Sequence, residues 1–253
     1  MRIELLFTPQ QIDEMPLREK TVVAIDVLRA STTITTALHN GAREVIPAAT
    51  VEAAVKIAGN LAGDVTLLAG ERNARMIQGF HLGNSPLEYT PEKVRGKSIV
   101  FSSTNGAQVF AKGRMARELM VCSFVNITTV VEHLGAQPRD FTIICAGTNG
   151  SFSLEDSVCA GMVVHGLAEG NPDGLSLADG ALASMTLYRS YGRSILKMLK
   201  TGEHGRLLEE LGFGDDLAYC ARVDAVPVLP VMDGNVLKLK RDAEKKDIAG
   251  PVS

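Results

Sequence analysis

Six short segments carry side chains suited to a small anion and a hard cation. The first is Ala24-Ile-Asp-Val-Leu-Arg-Ala-Ser-Thr-Thr33. Asp26 closes an apolar run, Arg29 follows three residues on, and Ser31 and Thr32 stand at a helix start. A carboxylate there can hold Mg²⁺. A guanidinium can grip a phosphate or sulfonate with two parallel hydrogen bonds, and a helix N-terminus offers free N–H groups to an anion. The same residues equally suit a buried Asp26–Arg29 ion pair with Ser31 as N-cap. The second segment, Leu68-Ala-Gly-Glu-Arg-Asn73, sets Glu71 and Arg72 after a strand. Glu71 suits a metal ligand or general base, or simply a surface turn with a Glu–Arg pair.

The third segment, Gly79-Phe-His-Leu-Gly-Asn-Ser-Pro-Leu-Glu88, lies in an irregular stretch rich in Gly and Pro, 73–95. Loops that long are often functional, which makes Asn84 and Ser85 candidates for an anion pocket. The alternative is a connection stiffened by Pro86 and Pro91. Two further segments, Ser102-Ser-Thr-Asn-Gly106 and Ala146-Gly-Thr-Asn-Gly150, echo each other after apolar strands. Thr104, Asn105 and the N–H groups around Gly106, with Gly147 and Thr148, can cradle anionic oxygens or turn the chain into a capped helix. The sixth holds adjacent Glu155 and Asp156 at a helix start, where acids suit the macrodipole or a metal. Asp179 is open to an N-cap or ligand reading. Familiar alternatives are missing: there is no G-x-x-x-x-G-K-S/T loop, no G-x-G-x-x-G after a strand, no G-x-S-x-G elbow and no H-E-x-x-H.

These groups act together only if the fold delivers them to one place. Strands are expected at 2–7, 21–27, 44–48, 65–69, 98–103, 119–123 and 141–146, several of them apolar without alternation, as in strands covered on both faces. Helices are expected at 32–40, 51–62, 107–112, 127–134, 154–168, 177–199 and 205–211, with Gly41 as a C-cap. A closing strand pair is expected at 226–231 and 235–240, the first at a sheet edge because of Pro227 and Pro230. The βαβα order points to a layered α/β protein with a largely parallel sheet. In open sheets of that kind ligands bind at the carboxyl ends of the strands.

Composition narrows the function. The chain has 253 residues, 45% of them hydrophobic, with a formal net charge of -3, enough for a real core and without the basic surplus that a nucleic acid requires. No apolar run approaches the ~20 residues of a membrane span, and residues 1–10 lack the features of a signal peptide, so a cytoplasmic protein is expected. Cys122, Cys145, Cys159 and Cys220 form no C-x-x-C pair and read as small core residues. The mixed-sign cluster at 238–247 reads as a solvated tail.

Taken in order, the segments resemble the 2-phosphosulfolactate phosphatase (ComB) family over nearly the whole chain. The match runs from Ile25-Asp-Val-Leu-Arg-Ala-Ser-Thr through Ala69-Gly-Glu-Arg, Gly79-Phe-His-Leu-Gly-Asn-Ser-Pro-Leu-Glu-Tyr, Thr104-Asn-Gly, Ser123-Phe-Val-Asn and Leu154-Glu-Asp to Asp215-Asp-Leu-Ala-Tyr-Cys. His81 stands where the family more often has an acid. The resemblance implies a three-layer α/β/α architecture with internal duplication, a single domain over 1–253 with two interlocked halves at about 1–135 and 136–253. It also implies a Mg²⁺-dependent phosphatase that turns 2-phospho-3-sulfolactate into 3-sulfolactate, on the route to coenzyme M.

On that reading Asp26, Glu71 and Asp156 supply carboxylates to Mg²⁺, and Arg29 and Arg72 hold the phosphate or sulfonate. Ser31, Thr32, Asn84, Ser85, Thr104, Asn105, Gly106, Gly147 and Thr148 complete the anion cradle, and Glu71 or Glu155 orients the attacking water. The expected partner is a small phosphorylated anion, with neither nucleic acid nor membrane; a homodimer is left open. Two alternatives stand: a non-catalytic sensor of a phosphorylated metabolite, and an aspartyl-phosphate mechanism on Asp26. Against the second, Leu28 occupies the position where such enzymes carry a second acid.

Overall fold

Strand β2 (Thr21–Ile25) shows why this chain forms layers. All five of its residues are buried. Val22 and Ala24 pack with Ile34, Leu38 and Phe110, while Val23 and Ile25 pack with Val130, Val158 and Met198. A strand with apolar neighbours on both faces must lie in the middle of three layers, and each large aliphatic side chain buried there contributes about 1.5–3 kcal/mol. The computed structural model describes residues 1–12, 15–61, 65–137, 139–171 and 174–240.

The remaining strands are β1 (Arg2–Leu6), β3 (Glu44–Pro47), β4 (Thr66–Arg72), β5 (Arg75–Met76), β6 (Ser98–Ser102), β7 (Glu118–Cys122), β8 (Phe141–Cys145), β9 (Ser176–Leu177), β10 (Pro230–Asp233) and β11 (Val236–Leu239). They form one mixed sheet in the order β5-β4-β6-β3-β11-β10-β7-β2-β8-β1-β9. The helices are α1 (Ala30–His39), α2 (Val51–Gly59), α3 (Pro91–Val94), α4 (Gly106–Gly113), α5 (Ile127–Gly135), α6 (Leu154–Gly170), α7 (Asp179–Tyr191), α8 (Ile195–Thr201), α9 (Glu203–Glu210) and α10 (Gly214–Cys220). On one face lie α1 and α4; on the other, α5 to α9 cover one half of the sheet and α2 the other. None of the described helices is long and apolar enough to cross a membrane. All four cysteines are buried and free.

Two parallel blocks make up the sheet, β4-β6-β3 and β7-β2-β8-β1-β9. The antiparallel hairpin β10–β11 joins them, pairing with β7 at Val231 and with β3 at Leu237. Three successive antiparallel pairings make the blocks run in opposite senses. Five steps separate β6 from β2, and ordinary strand twist turns one against the other by roughly 100–125°. That rotation lets the carboxyl ends of both blocks reach one cavity.

Three expectations need correction. The first strand of the closing pair is internal to the sheet, not at an edge, and begins only at Pro230; as the first strand residue, Pro230 lacks its N–H without breaking the ladder. The expected helix at 177–199 is two helices, α7 and α8, separated at Gly192, and Leu177 belongs to β9. The stretch 73–95 contains β5, α3 and a 3-10 turn at Pro86–Glu88. Gly41 follows α1 at φ 93°, and its N–H closes on Leu38 O at 3.1 Å, as the C-cap reading requires. Residues 62 and 241–247, which belong to the expected second helix and the charged tail, lie outside the described residues.

Candidate active site

Asp26 leaves the end of β2 and enters the wall of a cavity of about 380 Å³. Glu71 comes from the end of β4, Ser103, Thr104 and Asn105 from the turn after β6, and Thr148 and Asn149 from the turn after β8. Arg29, Arg75 and Asn84 add polar groups, and α9 closes the wall with His204 and Leu207. The two Thr-Asn-Gly turns meet here, since the Asn149 N–H donates to Asn105 Oδ1 at 3.1 Å.

The turn that presents Asp26 is held from beneath. Ser31 N donates to Asp26 O at 2.8 Å, Asp26 N donates to Ser31 Oγ at 2.9 Å, and Thr32 Oγ1 donates to Val27 O at 2.9 Å. Ser31 and Thr32 are wholly buried, so they scaffold the turn and do not line the cavity. Asp156 accepts Val27 N at 2.9 Å on one oxygen and Gly147 N at 3.1 Å on the other. It thereby clamps the turn after β2 to the turn after β8, and Gly147, at φ 66°, serves that clamp.

The carboxylates therefore divide. Of the expected trio, Asp26 and Glu71 line the cavity and Asp156 does not, its two oxygens lying on backbone N–H groups of the turns behind it. Glu71 accepts Thr104 N at 2.7 Å and Ala74 N at 2.9 Å. Burial pushes the Asp26 carboxyl from 3.8 up to about 7; nearby His204 pulls it down, Glu71 and Glu155 push it up, and a backbone hydrogen bond from Ala30 lowers it. Burial is the main cause of that rise, and a cation beside the carboxyl would favour its charged form. Mg²⁺ is commonly held by one or two carboxylates together with water and substrate oxygens, so these two acids fit it.

Arg29 is 2% exposed and fixed on three sides. It donates to Asp216 Oδ2 at 2.7 Å and to Ala74 O at 2.7 Å, and its guanidinium carbon lies 4.4 Å from the Phe213 ring centre. Its ion-pair partner is thus Asp216, not Asp26. Ser85 Oγ donates to the other Asp216 oxygen at 2.6 Å, so Ser85 braces Arg29 from behind the cavity wall. Arg72 turns away, donating to Glu71 O and Ser102 Oγ, and exposed Arg75 lines the cavity instead. Two buried oxygens, Asn84 Oδ1 and Thr104 Oγ1, have no protein partner. Unpaired buried polar atoms in a cavity wall mark where a ligand or water bonds.

Glu155 does not line the cavity; its Oε1 lies 3.3 Å from Nδ1 of His204, which does. The sequence assigns no site role to His204, nor to Asp216, although Asp216 lies in the matched segment 215–220. Asp216 opens α10 beside Asp215, where the macrodipole already accounts for acids, and His204 has no chemical neighbour in sequence.

Gly106 opens α4 directly behind Asp26. A Cβ there would lie 2.7 Å from Asp26 Oδ2 and 2.9 Å from the Ala30 Cβ. Gly106→Ala is expected to displace the carboxylate and to cost about 1–3 kcal/mol by overpacking, read as a lower urea midpoint together with slower turnover. An unchanged midpoint and rate would show that Asp26 has room to move.

A family model described as 2-phosphosulpholactate phosphatase matches residues 6–235. The protein of Caldanaerobacter subterraneus subsp. tengcongensis named "Probable 2-phosphosulfolactate phosphatase" is 40% identical over 245 residues, covering 96% of this chain and 100% of that protein. Proteins of the same name from Thermotoga maritima and Symbiobacterium thermophilum are 42% identical over 225 residues and 40% identical over 226. Those alignments cover 89% and 88% of this chain, and 94% and 96% of the respective relatives.

Proposed function

The chain belongs to the 2-phosphosulpholactate phosphatase family, whose members are phosphoric monoester hydrolases, and from that premise we propose that it hydrolyses 2-phospho-3-sulfolactate to 3-sulfolactate and phosphate, with Mg²⁺ held by Asp26 and Glu71. The observation that supports this reading is the meeting of two buried carboxylates, Asp26 and Glu71, with the fixed Arg29 guanidinium in one cavity. The family resemblance alone supports the finer assignment of coenzyme M biosynthesis as the route served.

Bound Mg²⁺ supplies Lewis acidity, drawing charge from the phosphoryl oxygens. Arg29 uses two of its five N–H donors on Asp216 and Ala74 and directs the rest at the phosphate. Because Asp216 and Phe213 already fix its rotamer, little side-chain freedom is lost on binding. Thr104 Oγ1, unpaired in the free protein, donates to an anionic oxygen. The exposed Arg75 side chain, which lines the cavity and has no hydrogen-bonding partner among the described residues, meets the second anionic group. Leu28 and Leu207 line the remaining wall and limit water to what the reaction consumes.

Phosphate release tests the reading. The purified protein is incubated with 2-phospho-3-sulfolactate and with other phosphorylated hydroxy acids, in Mg²⁺ or in EDTA. Release that needs Mg²⁺ and is fastest from phosphosulfolactate is the expected result. Faster release from another acid retains the phosphatase and discards the substrate. No release, with tight Mg²⁺-independent binding, makes the cavity a sensor site.

A further inference from the structure

His204 lies in the first turn of α9 with its side chain 14% exposed, and it forms part of the cavity wall that includes Asp26. Its Nδ1 faces Glu155 Oε1 at 3.3 Å, and that carboxylate side chain is only 4% exposed. A carboxylate at Nδ1 fixes the ring and keeps a proton on that nitrogen. Nε2 has no protein partner among the described residues, which leaves it for a ligand in the cavity. Arg29 and Arg75 cannot deliver a proton at working pH, because a guanidinium does not deprotonate in proteins. Asp26 and Glu71 are occupied on the reading above, as ligands to the cation. Of the titratable groups in the wall, His204 alone is left to serve the departing oxygen.

We propose that His204 is the general acid that protonates the departing alcohol oxygen, with Glu155 as the positioning residue that orients its ring. The inference rests on the phosphatase reading. As the P–O(alkyl) bond breaks, its electron pair stays on the alcohol oxygen, which takes the proton from His204 Nε2. Water oxygen bonds to phosphorus; one of its protons stays on the phosphate and the other returns through solvent to Nε2. An alkoxide is a poor leaving group and needs that proton, whereas a nitrophenolate does not.

The test compares an alkyl phosphate, 2-phospho-3-sulfolactate, with an aryl one, 4-nitrophenyl phosphate, for wild type, His204→Gln and Glu155→Gln, with thermal melts of each. For His204→Gln the expected result is a kcat loss of about 10²–10⁴-fold on the alkyl ester and within about tenfold on the aryl ester, which also reports a folded site. Glu155→Gln is expected to show the same leaving-group dependence at smaller size. Equal losses on both esters with an unchanged melt, or no loss on the alkyl ester, overturn the proposal and leave the phosphatase standing. If His204→Gln melts early, Glu155→Gln decides by the same criterion. Wild type that releases phosphate from neither ester removes the underlying reading and the proposal with it.

Discussion

Asp26→Asn is expected to lose at least about a hundredfold to a thousandfold in kcat and yet to be more stable than wild type above neutral pH. On the proposed function, the activity loss follows from removing a cavity carboxylate that would hold the cation beside the phosphoryl group. The stability gain follows from linkage. Burial raises the folded-state pKa of Asp26 from 3.8 to about 7. Below about pH 4 the group is neutral in both folded and unfolded chains, so wild type and variant should differ little. As pH rises from about 4 to about 7 the unfolded chain releases a proton that the folded chain retains, and wild type loses stability throughout that window. Above it the full deficit, on the order of 4 kcal/mol as an upper bound, separates the two. Urea unfolding at pH 4, 6 and 8 reads this directly. Mg²⁺ added at pH 8 should raise the melting temperature of wild type and not that of the variant, since the cation offsets a charge that asparagine lacks. A variant that turns over at the wild-type rate, or whose advantage does not grow with pH, refutes the role given to Asp26.

That trade of stability for function is where sequence reading is strongest and weakest at once. The apolar run ending in Asp26 fixes both a central strand and the exit point of its acid, because a strand buried on two faces can present a charge only where it ends. Glu71, Thr104 and Thr148 are legible for the same reason. Partner identity is another matter. Arg29 three residues after Asp26 suggests a local pair, but the turn between them is tied by Ser31 and Thr32, and the guanidinium reaches α10 instead. Asp156 looks like a ligand in sequence because nothing there records that Val27 N and Gly147 N both point at it. The mid-sheet hairpin is hidden for a related reason: prolines argue for an edge unless the proline is known to be the first residue of its strand. Local chemistry is written in segments, whereas pairing between segments depends on the accumulated twist that brings two opposed blocks to one cavity.

The Arg29–Asp216 pair carries the largest expected stability effect. Both side chains are almost fully buried, at 2% and 3% exposure. Asp216→Ala leaves a guanidinium in the interior without its counter-charge and strips Ser85 Oγ of its acceptor, which is expected to cost about 3–5 kcal/mol. Contact with Ala74 O and the Phe213 ring moderates the cost without removing it, because neither neutralises the charge. Much of the cost comes from stranding a charge, not from losing an attraction, so deleting both partners should be far milder than deleting one. Arg29→Met in the Asp216→Ala background is therefore expected to recover most of the lost urea midpoint, since apolar replacement of a whole buried pair is often neutral or stabilising. On the proposed function, phosphate release is expected to be lost in that double variant, because the anion site then lacks its guanidinium. Stability restored with activity still missing separates the two duties of Arg29. A double variant as unstable as Asp216→Ala would instead locate the cost in lost packing around α10, and one that regained turnover would show that the phosphate is held elsewhere.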